Sequence, residues 1–371
     1  MRRDNRLDLI RGYAMLAIAL NHISFSIERL GFTQQNVPTL SVFGYSTAAS
    51  LFFGLSGYLV GLVYLRRPAF TRALWSRAWL IYRVNVVAFA VGLLIAAMLP
   101  SLVSNALEYD VIFAHPLTGT FLFLTLLQQP AYLDVLQVYV VLMLIAPLVA
   151  LGLKRDPTAT LLLLGAAYLA TQFLPSLATP QAILTQDGQW TLDGTCSFNL
   201  LSWQFLFYGA MYAGTRAWHE KLFAWLEAST SRRLAVFAIY GAIAAIKLSA
   251  RFGYWGDPPL IEKEILAPLR LAHSALTIFF LSSVLISVRA YLDHPVSRLV
   301  ALVGRQTLYG FAASIPATYL TVGLWFAADR TYPAYLFSCA LVVTVVILTS
   351  WAADVWRAAK PTQRSDAKGA V

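Results

Sequence analysis

The sequence predicts an all-α protein that crosses a membrane about ten times, with both termini in the cytoplasm. Three observations carry this reading. Hydrophobic residues make up 58% of the 371 residues and charged residues only 12%, about half the charged share of an average soluble domain. Apolar stretches lie at 9–28, 46–65, 80–99, 131–152, 158–175, 199–215, 233–250, 267–288, 306–326 and 333–356. Each has about the 20 residues needed to cross ~30 Å of hydrocarbon. Finally, 22 of the 28 basic residues fall toward one end of these stretches. The positive-inside rule assigns that end to the cytoplasm.

The first stretch follows Arg2, Arg3, Arg6 and Asp8 and carries Arg11 and His22. It resembles a signal peptide in outline, but no small-residue cleavage site follows, so it is read as an uncleaved first span. Arg11 and His22 are eleven residues apart, three helical turns plus roughly 20°. Both therefore lie on one face, about 16 Å apart along the axis. Asp8 falls within about 40° of that face. An apolar helix has no packing reason to carry Asp, Arg and His along one stripe, and ionisable residues inside a span are functional candidates. The competing reading of His22 is a structural histidine hydrogen-bonded between helices. Asp8 and Arg11 can pair with each other, or Arg11 can face an anionic ligand.

The second stretch runs into a loop, 66–83, with Arg66, Arg67, Arg72, Arg77 and Arg83. After the third stretch come an outward loop, 100–116, with Glu108, Asp110 and His115, and a short apolar run at 117–127. That run is read as interfacial or re-entrant. The fourth stretch opens at Asp134, which can orient an imidazole, accept a sugar hydroxyl or cap its helix. The outward loop 176–198, between the fifth and sixth stretches, is rich in Gln, Thr, Gly and Asp and holds Trp190. The loop 251–265, between the seventh and eighth, sets Tyr254 and Trp255 beside Asp257. Carboxylates and amides beside flat rings suit a sugar. The alternative is the aromatic belt of membrane proteins. Arg270 and His273 share a face of the eighth stretch. Arg270 is a candidate partner for an acyl carboxylate, or it pairs with Glu262 or Glu264. One membrane domain, 1–357, thus precedes a charged tail, 358–371, that reads as disordered.

Several classes are excluded. The net charge of +10 is spread over short loops of an apolar chain, so no nucleic-acid partner is expected. Cys196 and Cys339 are the only cysteines and give neither metal-ligand spacing nor a disulfide framework. No metal and no permanently bound cofactor is expected.

The run Arg6-Leu-Asp8-Leu-Ile-Arg11-Gly-Tyr-Ala followed by Asn21-His22 resembles the first span of the acyltransferase-three membrane enzymes. It is most similar to their OpgC subgroup, glucan succinyltransferases of proteobacteria. Further segments match in order: Ser50-Leu-Phe-Phe-Gly-Leu-Ser56-Gly57-Tyr58, Tyr132-Leu-Asp134-Val-Leu-Gln137-Val-Tyr139 and Phe198-Asn-Leu-Leu-Ser-Trp203-Gln204. Leu269-Arg270-Leu-Ala-His273 and Gly304-Arg305-Gln-Thr-Leu-Tyr309 complete the set, which covers roughly residues 6–325. Gln137 departs from the pattern, which has an apolar residue or proline there.

The resemblance implies transfer of a succinyl group from cytoplasmic succinyl-CoA, a co-substrate, to hydroxyls of periplasmic osmoregulated glucans at a bacterial inner membrane. It implies His22 as general base with Asp134 beside it. Arg6, Asp8, Arg11, Arg66, Arg67 and Arg77 would hold the acyl-CoA, because guanidinium forks suit phosphate. Arg270, His273, Trp203, Trp190 and Trp255 would hold the acyl group and the acceptor. The partners are then acyl-CoA, a glucan or other envelope polysaccharide, and the bilayer; oligomeric state is left open. The rival readings are O-acetyl transfer to another envelope polysaccharide and a membrane transporter. Neither an internal repeat nor the paired broken helices of secondary transporters is evident.

Overall fold

The structure is a computed structural model that describes residues 4–32, 37–175, 177, 181–193, 197–254 and 256–359. The chain begins with α1 (Asn5–Arg29), α2 (Ala48–Leu59), which continues into a π-helical turn (Val60–Tyr64), and α3 (Phe70–Ala96). Three short helices follow: α4 (Ser101–Ala106), α5 (Asp110–Ala114) and α6 (Pro116–Leu124). Then come α7 (Asp134–Arg155), α8 (Pro157–Phe173), strands β1 (Gln181–Leu184) and β2 (Trp190–Asp193), α9 (Leu200–Thr215), α10 (Trp218–Glu227) and α11 (Thr230–Arg251). The chain closes with α12 (Pro268–Ser287), a 3₁₀ turn (Arg289–Tyr291), α13 (Pro295–Arg305), α14 (Thr307–Ala327) and α15 (Tyr332–Ala359).

Each of the ten apolar stretches forms a helix. Six of these, α3, α7, α11, α12, α14 and α15, are long and apolar enough to cross a membrane by length and composition. The molecule is an all-α, multi-pass membrane protein with one small hairpin. α1 falls outside the six because Arg11, Asn21 and His22 lower the hydropathy of its apolar stretch. α8 and α9, at 17 and 16 residues, are about 24–26 Å long, short of the ~30 Å core.

Two expectations need correction. The loop read at 66–83 is mostly helix: α3 starts at Phe70, so Arg72, Arg77 and Arg83 project from its first turns. The loop 176–198 contains an antiparallel hairpin with Gln181 opposite Asp193 and Leu184 opposite Trp190. Gly188, at φ +82°, turns it in the left-handed region that glycine enters freely. His115 Nε2 lies 2.8 Å from the Gln186 carbonyl, and Gln186 donates to Asp110 at 2.8 Å. The hairpin is thereby tied to α5 and α6.

α1 is the central element. Fifteen of its residues are buried, and it packs on α2, α12, α13, α14 and α15. Its crossing with α13 needs glycine on both sides. A Cβ on Gly12 would sit 1.9 Å from the Val300 carbonyl oxygen, and one on Gly304 1.8 Å from that of Asp8. Close backbone approach through small residues is the usual device for packing helices in lipid. Leu94, Met98, Leu148, Leu162 and Leu163 stay exposed at the periphery, the apolar surface that a bilayer covers.

Candidate functional site

α1 carries one cavity at each end. The first, about 580 Å³, surrounds its N-terminal turns. Asp8 and Arg11 line it from α1, Arg66 and Arg67 from the α2–α3 connection, and Arg77 from α3. Arg305 and Arg357, which the sequence did not single out for this role, complete six arginines. Among the described residues, Asp4 and Asp8 are the only acidic ones in its lining. The π-helical turn contributes Val60, Leu62, Val63 and Tyr64 to the wall. Such turns concentrate at functional sites.

Two of the arginines, Arg11 and Arg305, are held by contacts with neighbouring residues. Arg11 donates to the Thr307 hydroxyl at 2.7 Å and lies 3.8 Å from Asp8. Arg305 lies 3.7 Å from Asp354, which also accepts a hydrogen bond from Gln306 at 2.8 Å. The run Gly304-Arg305-Gln306-Thr307 therefore has a local reason. Gly304 admits α1, and the next three residues furnish a cation, an anchor and a partner for Arg11. Arg6 does not line the cavity. It pairs with Asp4 and Glu227, each at 2.9 Å, and lies over the Phe223 ring at 3.8 Å. Burial pushes the Asp4 carboxyl up, but hydrogen bonds from Arg6 outweigh it and hold its pKa below the usual value. A cavity with six guanidinium groups and two carboxylates is suited to a polyphosphate.

The second cavity, about 410 Å³, surrounds the C-terminal half of α1. His22 lines it and is 7% exposed. Its ring stacks on Tyr132 with centroids 4.0 Å apart and meets the edge of Phe311 at 5.9 Å. Tyr132 has φ +72°, a strained value for a bulky residue. That kink places its ring against His22 just before α7 begins. Ser26 donates to the His22 carbonyl at 2.9 Å, so its oxygen is left to accept from the Tyr132 hydroxyl at 2.8 Å. His22 Nδ1 is buried and has no hydrogen-bond partner among the described residues.

Asp134 lines the same cavity, with Glu28, Glu108, Asn21, Gln129 and Gln181. Carboxylates and amides thus collect beside His22, drawn from α1, the loop before α5, the loop before α7, α7 itself and the hairpin, whereas Trp190, Tyr254 and Asp257 do not line the cavity. Two cations are present. Arg29 pairs with Glu108 at 2.8 Å and donates to the Ala106 carbonyl. Lys263 lies 4.5 Å from the Phe198 ring and forms no ion pair among the described residues.

Other expected acceptor residues lie elsewhere. Arg270 lines neither cavity; its Nε donates to the Ile261 carbonyl at 2.7 Å. His273 accepts at Nδ1 from the Ser46 backbone at 3.0 Å and so ties α12 to the start of α2. Trp203 is fully buried, and its Nε1 donates to the carbonyls of Lys263 and Glu264 at 3.3 and 3.1 Å. It holds the segment that presents Lys263 and offers no ring face to a ligand. Trp190 is exposed on β2, away from both cavities. Trp255 lies outside the described residues. Gln137 donates to the Leu126 carbonyl and fastens the segment after α6.

A thin aromatic layer separates the cavities. Tyr139 lines the arginine cavity, Phe52 meets Tyr139 at 5.8 Å and stacks near Phe311 at 5.5 Å, and Phe311 touches His22.

The family model described as OpgC protein matches residues 3–358. The chain belongs to the OpgC protein family. That match takes in both cavities and every helix described above. No curated protein and no solved structure gives a match. Family membership and the apolar helices together support a transferase embedded in a membrane.

Proposed function

We propose that this OpgC-family protein moves a succinyl group from cytoplasmic succinyl-CoA to a hydroxyl of a periplasmic glucan. In this reading ten helices cross the inner membrane and both termini are cytoplasmic. The CoA phosphates sit among Arg11, Arg66, Arg67, Arg77, Arg305 and Arg357. The acyl thioester passes the Phe52–Phe311 layer toward His22, and the glucan enters the second cavity. His22 takes the hydroxyl proton as the alkoxide oxygen bonds to the acyl carbon. The C–S bond then breaks, and the thiolate receives the proton from the imidazolium, leaving CoA thiol and a glucan ester. Histidine is the usual base for a poor hydroxyl nucleophile near neutral pH. Lys263 takes the role first considered for Arg270, as the cation for the terminal carboxylate of the acyl group.

The observation that carries this reading is the pairing of sites on one helix. α1 holds Arg11 in a six-arginine cavity and His22 in a carboxylate- and amide-lined one. A polyanionic donor and a sugar acceptor differ in the same sense. The test is an assay on the purified protein with succinyl-CoA and a linear or cyclic glucan. Free CoA thiol should appear with glucan ester in equal amounts. Glucan that gains no ester in the presence of succinyl-CoA or acetyl-CoA would defeat the reading. Ester formed from acetyl-CoA alone would favour the O-acetyl alternative.

A further inference from the structure

A third cavity is larger than either of these, about 860 Å³, and of different character. Its walls come from α1, α2, α9, α10 and α12, and nearly all of them are apolar. It exists because side chains are missing: Gly54, Gly209, Ala210, Ala213 and Ala275 line it. A Cβ built on Gly209 meets no atom within 4 Å. The volume lies in the range of small-molecule sites.

The lining changes with depth. At the α10 end stand Lys221, Trp218 and Trp225, with both tryptophans close to half exposed. Arg232 lies 5.0 Å from the Trp225 ring and donates to its carbonyl. Deeper in is Ser282, five residues and about 8 Å from the end of α12. It is 1% exposed, lines the cavity, and its hydroxyl has no hydrogen-bond partner among the described residues. Gly209, six residues before the end of α9, lies about 9 Å in. From there the lining is hydrocarbon and backbone. A cationic rim thus stands over an apolar hollow.

We propose that this cavity binds one anionic glycerophospholipid. Its phosphate rests on Lys221 and Arg232, and an acyl tail fills the hollow over Gly209. Basic pockets between membrane helices recognise anionic headgroups in this way, and tryptophans favour that depth. The proposal is independent of the transferase reading. Leu7 and His219 line both this cavity and the arginine cavity, so the lipid would touch the wall of the latter.

The full chain, purified in mild detergent, would be examined by native mass spectrometry with phosphatidylglycerol or phosphatidylcholine added. One phosphatidylglycerol should remain bound per chain. Gly209→Leu fills open space and should keep the fold, while retention of both lipids falls by tenfold or more. The pair Lys221→Gln and Arg232→Gln, on the exposed rim, should leave phosphatidylcholine retention intact and lower the preference for phosphatidylglycerol by fivefold or more, at roughly fivefold per cation. Undiminished retention by Gly209→Leu would overturn the site. An unchanged lipid preference in the double variant would overturn the headgroup assignment. A dimer that Gly209→Leu converts to monomers would mean that a second copy of the chain occupies the cavity, which also overturns the proposal.

Discussion

The arginine cavity and the His22 cavity share α1 and α7 as walls, yet their chemistry is opposite. The first has six arginines against two aspartates. The second has Arg29 and Lys263 against Glu28, Glu108 and Asp134. In the first, Arg11 is fixed by Thr307, another lining residue, and Arg305 by Asp354, which does not line it. The second leaves its central imidazole with an unpartnered nitrogen. One cavity gathers cations, the other gathers carboxylates and amides around a buried imidazole. A polar residue in a membrane bundle can therefore mark binding or chemistry, and its partners tell which.

The largest expected effect would break the comparison at its chemical end. His22→Ala should lower glucan acylation at least about 100-fold, the low end of what a general base supplies. Binding of succinyl-CoA, measured by calorimetry, should stay within about twofold. Parallel loss of CoA binding would mean that the two cavities are not separate sites.

Substitutions at the other end should show the reverse pattern. Arg11→Lys keeps the charge but loses the fork that reaches Thr307 and Asp8, and Arg305→Gln removes a charge outright. Each should weaken CoA binding about tenfold, since a charged hydrogen bond is worth ~1.5–3 kcal/mol. The KM for glucan should not move. An equal rise in KM for donor and acceptor would count against the division of labour.

The smallest effect concerns the wall of the arginine cavity. The His219 backbone N–H donates to the Tyr58 oxygen at 3.0 Å, so the Tyr58 O–H is free to donate to His219 Nδ1 at 2.5 Å. Burial lowers the His219 pKa; Asp4 and Glu220 push it up, while Arg6 and Arg66 add to the lowering. The unfolded chain thus binds this proton more readily than the folded one. Stability should be flat above about pH 7.5 and fall below about pH 6.5, by at most ~1.4 kcal/mol per pH unit. Thermal melts between pH 5 and 8 measure this, and His219→Gln should flatten the acidic slope. An unchanged slope in that variant would remove His219 from the account.

Much of this arrangement is legible in the sequence because it is periodic or local. The ten apolar stretches become helices, and the stripe of Asp8, Arg11 and His22 follows from 3.6 residues per turn. The basic residues also sort as their loops suggest. All six arginines of the first cavity come from the majority set, and Arg29 and Lys263 from the minority set. What was hidden depends on long-range packing. Arg305 reaches Arg11 only because Gly12 and Gly304 let two backbones touch. Lys263, and not Arg270, lines the His22 cavity because Trp203 and Asn199 clamp its loop through backbone carbonyls. Trp203 reads as a ring platform in the sequence, and only burial reveals it as a clamp. The hairpin at 181–193 had one local sign, the Asp187-Gly188 pair, a strong turn signal between strands.

The central claim is that donor and acceptor enter from opposite faces. It is tested most directly with the protein oriented in sealed vesicles, with succinyl-CoA supplied on one face and glucan on the other. Ester should form only when CoA is on the face of the termini and glucan on the face of the 181–193 hairpin. Ester formed equally well with both substrates confined to the face of the termini would contradict it.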